Sequence, residues 1–122
     1  IHSRDAWEDI KTIDLSKNRG VFHCYSGPIE IPKNFYVSFA GNLTFKSAQK
    51  LQEVAREVLI ERILLETDSP YLAPEPLRGS QNKPENVRII ASKLAELKNV
   101  SLTEVDKITS KNAHELFHLT LH

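Results

Sequence analysis

The sequence predicts an α/β protein built on a parallel sheet, and three observations lead there. Ile63-Leu64-Leu65 is an apolar run without the polar alternation of a half-solvated strand, so it reads as a strand buried on both faces. The run stops on Glu66 and Asp68 and then on Pro70, which forbids the strand from continuing. Ahead of it, Ala48, Leu51, Val54, Ala55 and Val58 keep helical spacing from Ser47 to Val58, with Lys, Gln, Glu and Arg between them, as an amphipathic helix requires. In parallel α/β folds ligands and catalytic groups gather at the carboxyl ends of the strands, and in closed barrels almost without exception.

The other elements follow in chain order. Ile1 to Ala6 opens without a turn or cap, as the last residues of a strand would. Trp7 to Ile13 is expected as a short helix, with Asp5 as its N-cap and Trp7, Ile10 and Ile13 on one face. Asn18-Arg19-Gly20 makes a turn into a buried strand, Val21-Phe22-His23-Cys24, and Tyr25 to Pro28 is the loop after it. Phe35 to Phe39 is aromatic and β-branched, a third strand. A parallel crossover needs at least about 10 to 12 residues, usually with a helix. Tyr25 to Asn34 barely reaches that length and contains Pro28 and Pro32, so the crossover is either a bare loop or a place where residues are missing. Beyond Asp68, the prolines of Tyr71 to Pro84 mark an ordered loop, and Glu85 to Lys98 returns to helix with Val87, Ile90, Ala91, Leu94 and Leu97 on one stripe. Ser101-Leu102-Thr103-Glu104 is a capping box that starts another helix, and a last short helix is expected from Lys111 to Phe117.

Composition bounds the function. A chain of 122 residues suits one domain without disulfide support. It contains no methionine, so a fragment, a processed product or an incompletely represented sequence is expected. Sixteen basic residues balance sixteen acidic ones, so no global positive field draws the chain to nucleic acid, and an anionic substrate must be captured locally. The single cysteine, Cys24, fits a reducing compartment, and no apolar run approaches the roughly 18 residues of a membrane span. A soluble cytoplasmic protein with no membrane partner is therefore expected.

Three strand ends carry His2, His23 and the Glu66/Asp68 pair. Two imidazoles and a carboxylate are the ligand set of a catalytic zinc, and they also suit a two-metal hydrolase. Asp68 could then hold a metal and take a proton from the attacking water. The bland alternatives are hydrogen-bonded structural histidines and an aspartate that caps a turn. Cys24 is not expected to act as a nucleophile with His23, because adjacent strand residues point to opposite faces. His114, His118 and His122 recur at i+4 and read as surface residues, while Arg78 and Lys83 lie where a loop could meet a phosphate.

Several blocks resemble the TatD-type metal-dependent deoxyribonucleases of the amidohydrolase superfamily. Ile1-His2-Ser3-Arg4-Asp5-Ala6 is similar to that family's IHSRDA block, and His23-Cys24-Tyr25-Ser26-Gly27 to its HCFSG block. Tyr36 to Gly41 and Thr44-Phe45-Lys46 resemble its YISFSG and TFK segments. Glu66-Thr67-Asp68-Ser69-Pro70-Tyr71-Leu72-Ala73-Pro74 resembles its ETDxPYLAP signature, followed by Arg78-Gly79, Asn82 and Pro84. Thr109, Asn112-Ala113 and Leu116-Phe117 echo its closing TxxNAxxLF.

The resemblance implies a (β/α) TIM-type barrel with divalent metals, Zn, Mn or Mg and one or two of them, at its carboxyl mouth. By that match His2, His23 and Asp68 are metal ligands, and Asp68 also orients or deprotonates water. Glu66 is expected to support the ligands without holding the metal, and Tyr71 and Arg78 to shape the substrate mouth. The implied reaction is hydrolysis of DNA phosphodiesters from an end.

The chain departs from the family pattern in four places. The family's HxH pair and the glutamate of its GEIGLD block are absent, as is about half of its barrel. The intervals from His2 to His23 and from Gly27 to Phe35 are shorter than the family's. Gln81-Asn82-Lys83-Pro84 replaces Arg-Asn-Glu-Pro, and Tyr25 replaces phenylalanine. Residues 1–122 are thus expected to form the carboxyl-terminal half of such a barrel. The alternatives are another amidohydrolase activity on an amide or lactone, and a non-catalytic half-barrel that pairs through its sheet edges with a second copy or an amino-terminal half.

Overall fold

The computed structural model describes residues 1–119. Its centre is a three-stranded parallel sheet in the order β1 (Gly20–Phe22), β2 (Phe35–Phe39), β3 (Ile63–Leu65). The registers pair Val21 with Tyr36 and Ser38 with Leu64. A parallel bridge between His2 and His23, closed by the His23 amide donating to the Ile1 carbonyl at 2.8 Å, adds a further strand position beyond β1. Neighbours in the sheet are thus neighbours in sequence, the order in which a parallel barrel is wound.

Burial explains why β2 is central. Phe35, Val37, Ser38 and Phe39 are all buried, and Tyr36 is partly so, which matches an apolar strand with neighbours on both edges. Phe22 stacks at 5.0 Å from Phe35, and the Trp7 ring meets Phe22 and Tyr25 edge-on at 5.3 and 5.7 Å. These aromatic contacts bring the first segment of the chain onto the core.

The helix expected over Trp7 to Ile13 is shorter, α1 (Trp7–Ile10). Its N-cap is Ala6 with no side-chain cap bond, because Asp5 adopts a left-handed conformation, and the chain after Lys11 turns on bonds from Thr12 and Ile13. Ile13 is exposed, off the face where Ile10 is buried. The expected strand Val21 to Cys24 begins at Gly20 and ends at Phe22, since Cys24 is left-handed. Between β1 and β2 the described chain has no helix, so the crossover is the bare loop. The Tyr25 hydroxyl donates to the Pro28 carbonyl, and Arg62 donates through Nε and Nη2 to Phe35 O at 3.0 and 2.7 Å and through Nη2 to Pro32 O at 2.5 Å. Two prolines and these bonds supply the order that a crossover helix would otherwise give.

Helix α2 (Gln49–Glu57) buries Leu51 and Ala55 and packs on α3 (Val87–Lys98), which one 3₁₀ turn, Pro84–Asn86, precedes. Helix α3 buries Ile90, Leu94 and Ala95 and stops at left-handed Asn99, where the Val100 amide returns to the Ala95 carbonyl. The two helices expected after Ser101 are a single one, α4 (Leu102–Phe117). No breaker separates them, and Val105, Thr109 and Asn112 form one continuous buried stripe. The capping box is half realised: Ser101 Oγ accepts from the Glu104 amide at 3.1 Å. Asn112 fixes α4 to the start of β3, its side-chain amide donating to Ile60 O and Ile63 O at 2.8 Å each. His118 ends α4 in a left-handed conformation, which takes it off the helix face of His114, and His122 lies outside the described residues. No helix among the described residues is long and apolar enough to cross a membrane.

Two substitutions separate the bare crossover from ordinary capping. Arg62→Ala removes the donors to Pro32 and Phe35 and should lower unfolding stability by about 1–3 kcal/mol. Ser101→Ala loses one cap and should cost about 1 kcal/mol. Urea denaturation of each variant checks both.

Candidate metal centre

The site is built where the chain leaves β1 and β3. His23 follows Phe22 and is held by its bridge to His2, and the Glu66 amide donates to Phe39 O at 3.0 Å, carrying the β2–β3 ladder one step past Leu65. Asp68 therefore lies beyond the strand, in a left-handed turn (φ 55°), and not at a strand terminus. Glu66 at the end of the ladder and Asp68 in the turn both approach His23.

The His23 ring faces both of them. Nδ1 is 2.5 Å from Glu66 Oε1, and Nε2 is 3.7 Å from Asp68 Oδ1. One ligand atom from each of His23, Glu66 and Asp68 falls within 4.8 Å of the other two, the one such metal-type cluster among the described residues. His2 stands beside it without joining, its ring centroid 5.5 Å from that of His23. Tyr71 is 69% exposed and its amide donates to Asp68 O at 3.0 Å. Arg78 is exposed, its guanidinium 3.9 Å above the Phe45 ring.

Glu66 Oε1 carries the test of metal fit. It is buried and has no hydrogen-bond partner, because its close approach to His23 Nδ1 does not have hydrogen-bond geometry. A buried carboxylate oxygen without a hydrogen-bond donor is costly unless positive charge beside it, on the imidazole or on a bound cation, compensates it. An imidazole and two carboxylates are the donor chemistry of Zn, Mn or Mg sites, so the residues fit a divalent ion. The same carboxylates act on Cys24. Burial pushes its thiol up to about 11, and the charges of Glu66 and Asp68 add to the effect, so a thiolate is disfavoured.

The loop that carries Asp68 is tied down from two sides. Asn82, 3% exposed, donates to Thr67 O and Tyr71 O at 2.8 Å each, accepts from the Lys83 amide and Asn86 Nδ2, and its own amide donates to Pro70 O. From β2, the 3₁₀ turn Gly41–Thr44 packs against the far end of the loop: Thr44 Oγ1 accepts from the Glu75 amide at 2.8 Å, and a Cβ on Gly41 would lie 1.8 Å from Leu72 O. In the sequence Asn82 stands out only as part of the Asn82-Lys83-Pro84 motif, because its burial and its bonds to Thr67 and Tyr71 come from residues outside that motif.

Comparison with known proteins places this geometry. The family model described as TatD related DNase matches residues 1–118. The "Uncharacterized metal-dependent hydrolase YabD" of Bacillus subtilis is 42% identical over 98% of this chain and 50% of its own length. The "Uncharacterized metal-dependent hydrolase YcfH" of Escherichia coli K12 is 41% identical over 98% of the chain and 48% of its own length. The chain therefore spans about half the length of the curated relatives it matches. Among solved structures, the TatD homologue YJJV of Escherichia coli K12 superposes with a TM-score of 0.79 at 24% identity over 96% of this chain and 47% of that one. A TatD-family hydrolase from Entamoeba histolytica gives 0.74 at 22% identity over 93% and 46%. The shared fold makes the parallel sheet and its helices a partial (β/α) barrel, and the chain belongs to the TatD-related DNase family.

Proposed function

We propose that this chain carries part of the active site of a divalent-metal hydrolase that cleaves DNA phosphodiester bonds from an end. The observation that carries the reading is the convergence of His23, Glu66 and Asp68, with Glu66 Oε1 buried and without a donor. Relatives named metal-dependent hydrolases support the reaction class, and the family description supports DNA as substrate. When bound, a Zn, Mn or Mg ion polarises the scissile phosphoryl group and lowers the pKa of water.

The chain's own residues supply the rest. His23 and Asp68 would hold the ion, with Glu66 against the His23 ring, and His2 stands next to His23 as a further imidazole. Asp68, 30% exposed, reaches solvent and takes the proton of the attacking water. Tyr71 offers an exposed ring for a base to stack on, and Arg78, steadied over Phe45, meets the phosphate charge that the neutral chain does not attract at long range. Glu66 is close enough to join the ligands and, facing His23 Nδ1 at 2.5 Å, equally placed to support the imidazole as expected of it. The outer edges of the sheet, at His2 and at β3, support completion of the barrel by a second copy or by an amino-terminal half. The lone free cysteine supports a cytoplasmic setting.

Elemental analysis of the purified chain after dialysis with Zn or Mn, beside Asp68→Ala, tests the centre. The chain should retain metal and the variant should lose it, with DNA hydrolysis falling about 100- to 10,000-fold. Equal retention by both proteins would sink the assignment, and turnover of lactones or amides in place of DNA would replace the substrate. Cys24→Ala should leave the hydrolysis rate unchanged, because the thiol is neutral and contributes no ligand to the cluster. A lost rate with intact folding would restore the thiol to the mechanism.

A further inference from the structure

We propose that Asn82 is a positioning residue that holds Asp68 in its metal-binding place, an inference that rests on reading the cluster as a metal centre. Asp68 sits in a left-handed turn outside any ladder, and the turn's amide bonds are local: Tyr71 to Asp68 O, and Ser69 to Thr67 Oγ1 at 3.3 Å. Such a turn does not fix its own orientation relative to His23. Asn82 does so by donating from its side-chain amide to the carbonyls on both sides of it, Thr67 before and Tyr71 after, and by donating from its backbone amide to the Pro70 carbonyl. Its Oδ1 is in turn fixed by the Lys83 amide at 2.9 Å and by Asn86 Nδ2 at 2.8 Å, so the side chain has one orientation and every polar atom of it is used. The amide is anchored at the start of the turn leading into α3, and through it the loop is referenced to the helix layer.

The fold provides a matched control. Asn112 is equally buried and also donates twice, to Ile60 O and Ile63 O, but at the opposite end of β3 from the cluster. A merely structural asparagine and a positioning one should therefore lose comparable stability and differ at the site. The experiment compares wild type, Asn82→Ala, Asn112→Ala and the milder Asn86→Ala, which removes one partner of Asn82 and leaves it in place.

Zn or Mn affinity is measured by calorimetric titration, and amide hydrogen exchange is followed in the metal-free proteins. Asn82→Ala should weaken affinity about 10- to 100-fold, the range for residues that orient metal ligands. Asn86→Ala should weaken it less, and Asn112→Ala should leave it near wild type. In the metal-free proteins Asn82→Ala should speed exchange at the Ser69 and Tyr71 amides, whereas Asn112→Ala should speed it around β3's start. Equal affinity losses in the two alanine variants, or unchanged exchange at Ser69 and Tyr71 in Asn82→Ala, would overturn the role of Asn82. Wild type that takes up no metal would overturn the metal centre, and the exchange data would still decide whether Asn82 holds the turn.

Discussion

The parallel pairing of β1, β2 and β3 in chain order is the constraint on which the site depends. Parallel strands deliver all their carboxyl ends to one rim, so a histidine after β1 and carboxylates after β3 meet without any long-range device. β2 separates the two and contributes no ligand to the cluster, but it sets their distance: His23 is followed by Tyr25 bonding to Ser38 O, and Glu66 bonds to Phe39 O, consecutive carbonyls of the same strand. The imidazole and the carboxylates are thus indexed to one segment of backbone. Its side chains are buried nearly throughout and it has a neighbour on each edge, so it is the central reference of the sheet.

How much of this was legible in the sequence depends on the range of the interaction involved. Phe35–Phe39 was read at its full length because an aromatic, β-branched run leaves few alternatives, and the stripe Ile90, Leu94 on α3 followed from helical spacing alone. The ends of elements were harder, because side chains in left-handed turns at Asp5, Cys24 and Asp68 give little local warning without a glycine there. The sequence reads as two helices where α4 is one, because the capping box is a local signal whereas continuity is enforced by burial of Thr109 and Asn112 against other elements. His23 and Asp68 are legible from their places after apolar runs. That Asp68 meets His23 and Glu66 depends on the left-handed turn at Asp68, which no pattern of residue types encodes.

The two buried asparagines show how the fold divides labour along β3. The strand is only three residues long, too short for its own ladder to fix both ends. Asn112 binds the carbonyls entering it and Asn82 those of the loop leaving it, so a side-chain amide stands at each end where further strand would have been. Both use the same chemistry, two N–H donors in one plane, which a buried amide supplies without bringing a charge into the core.

The contact between Gly41 and the Leu72 carbonyl bears on how such a rim can diversify. With 1.8 Å available where a methyl group would go, the exit of β2 and the loop beyond Asp68 share one surface and cannot drift apart or together independently. Any lineage that reshapes the mouth for a new substrate must therefore alter these two loops in concert, or confine its changes to the stretch from Pro76 to Ser80, where Leu77, Arg78 and Gly79 project into solvent.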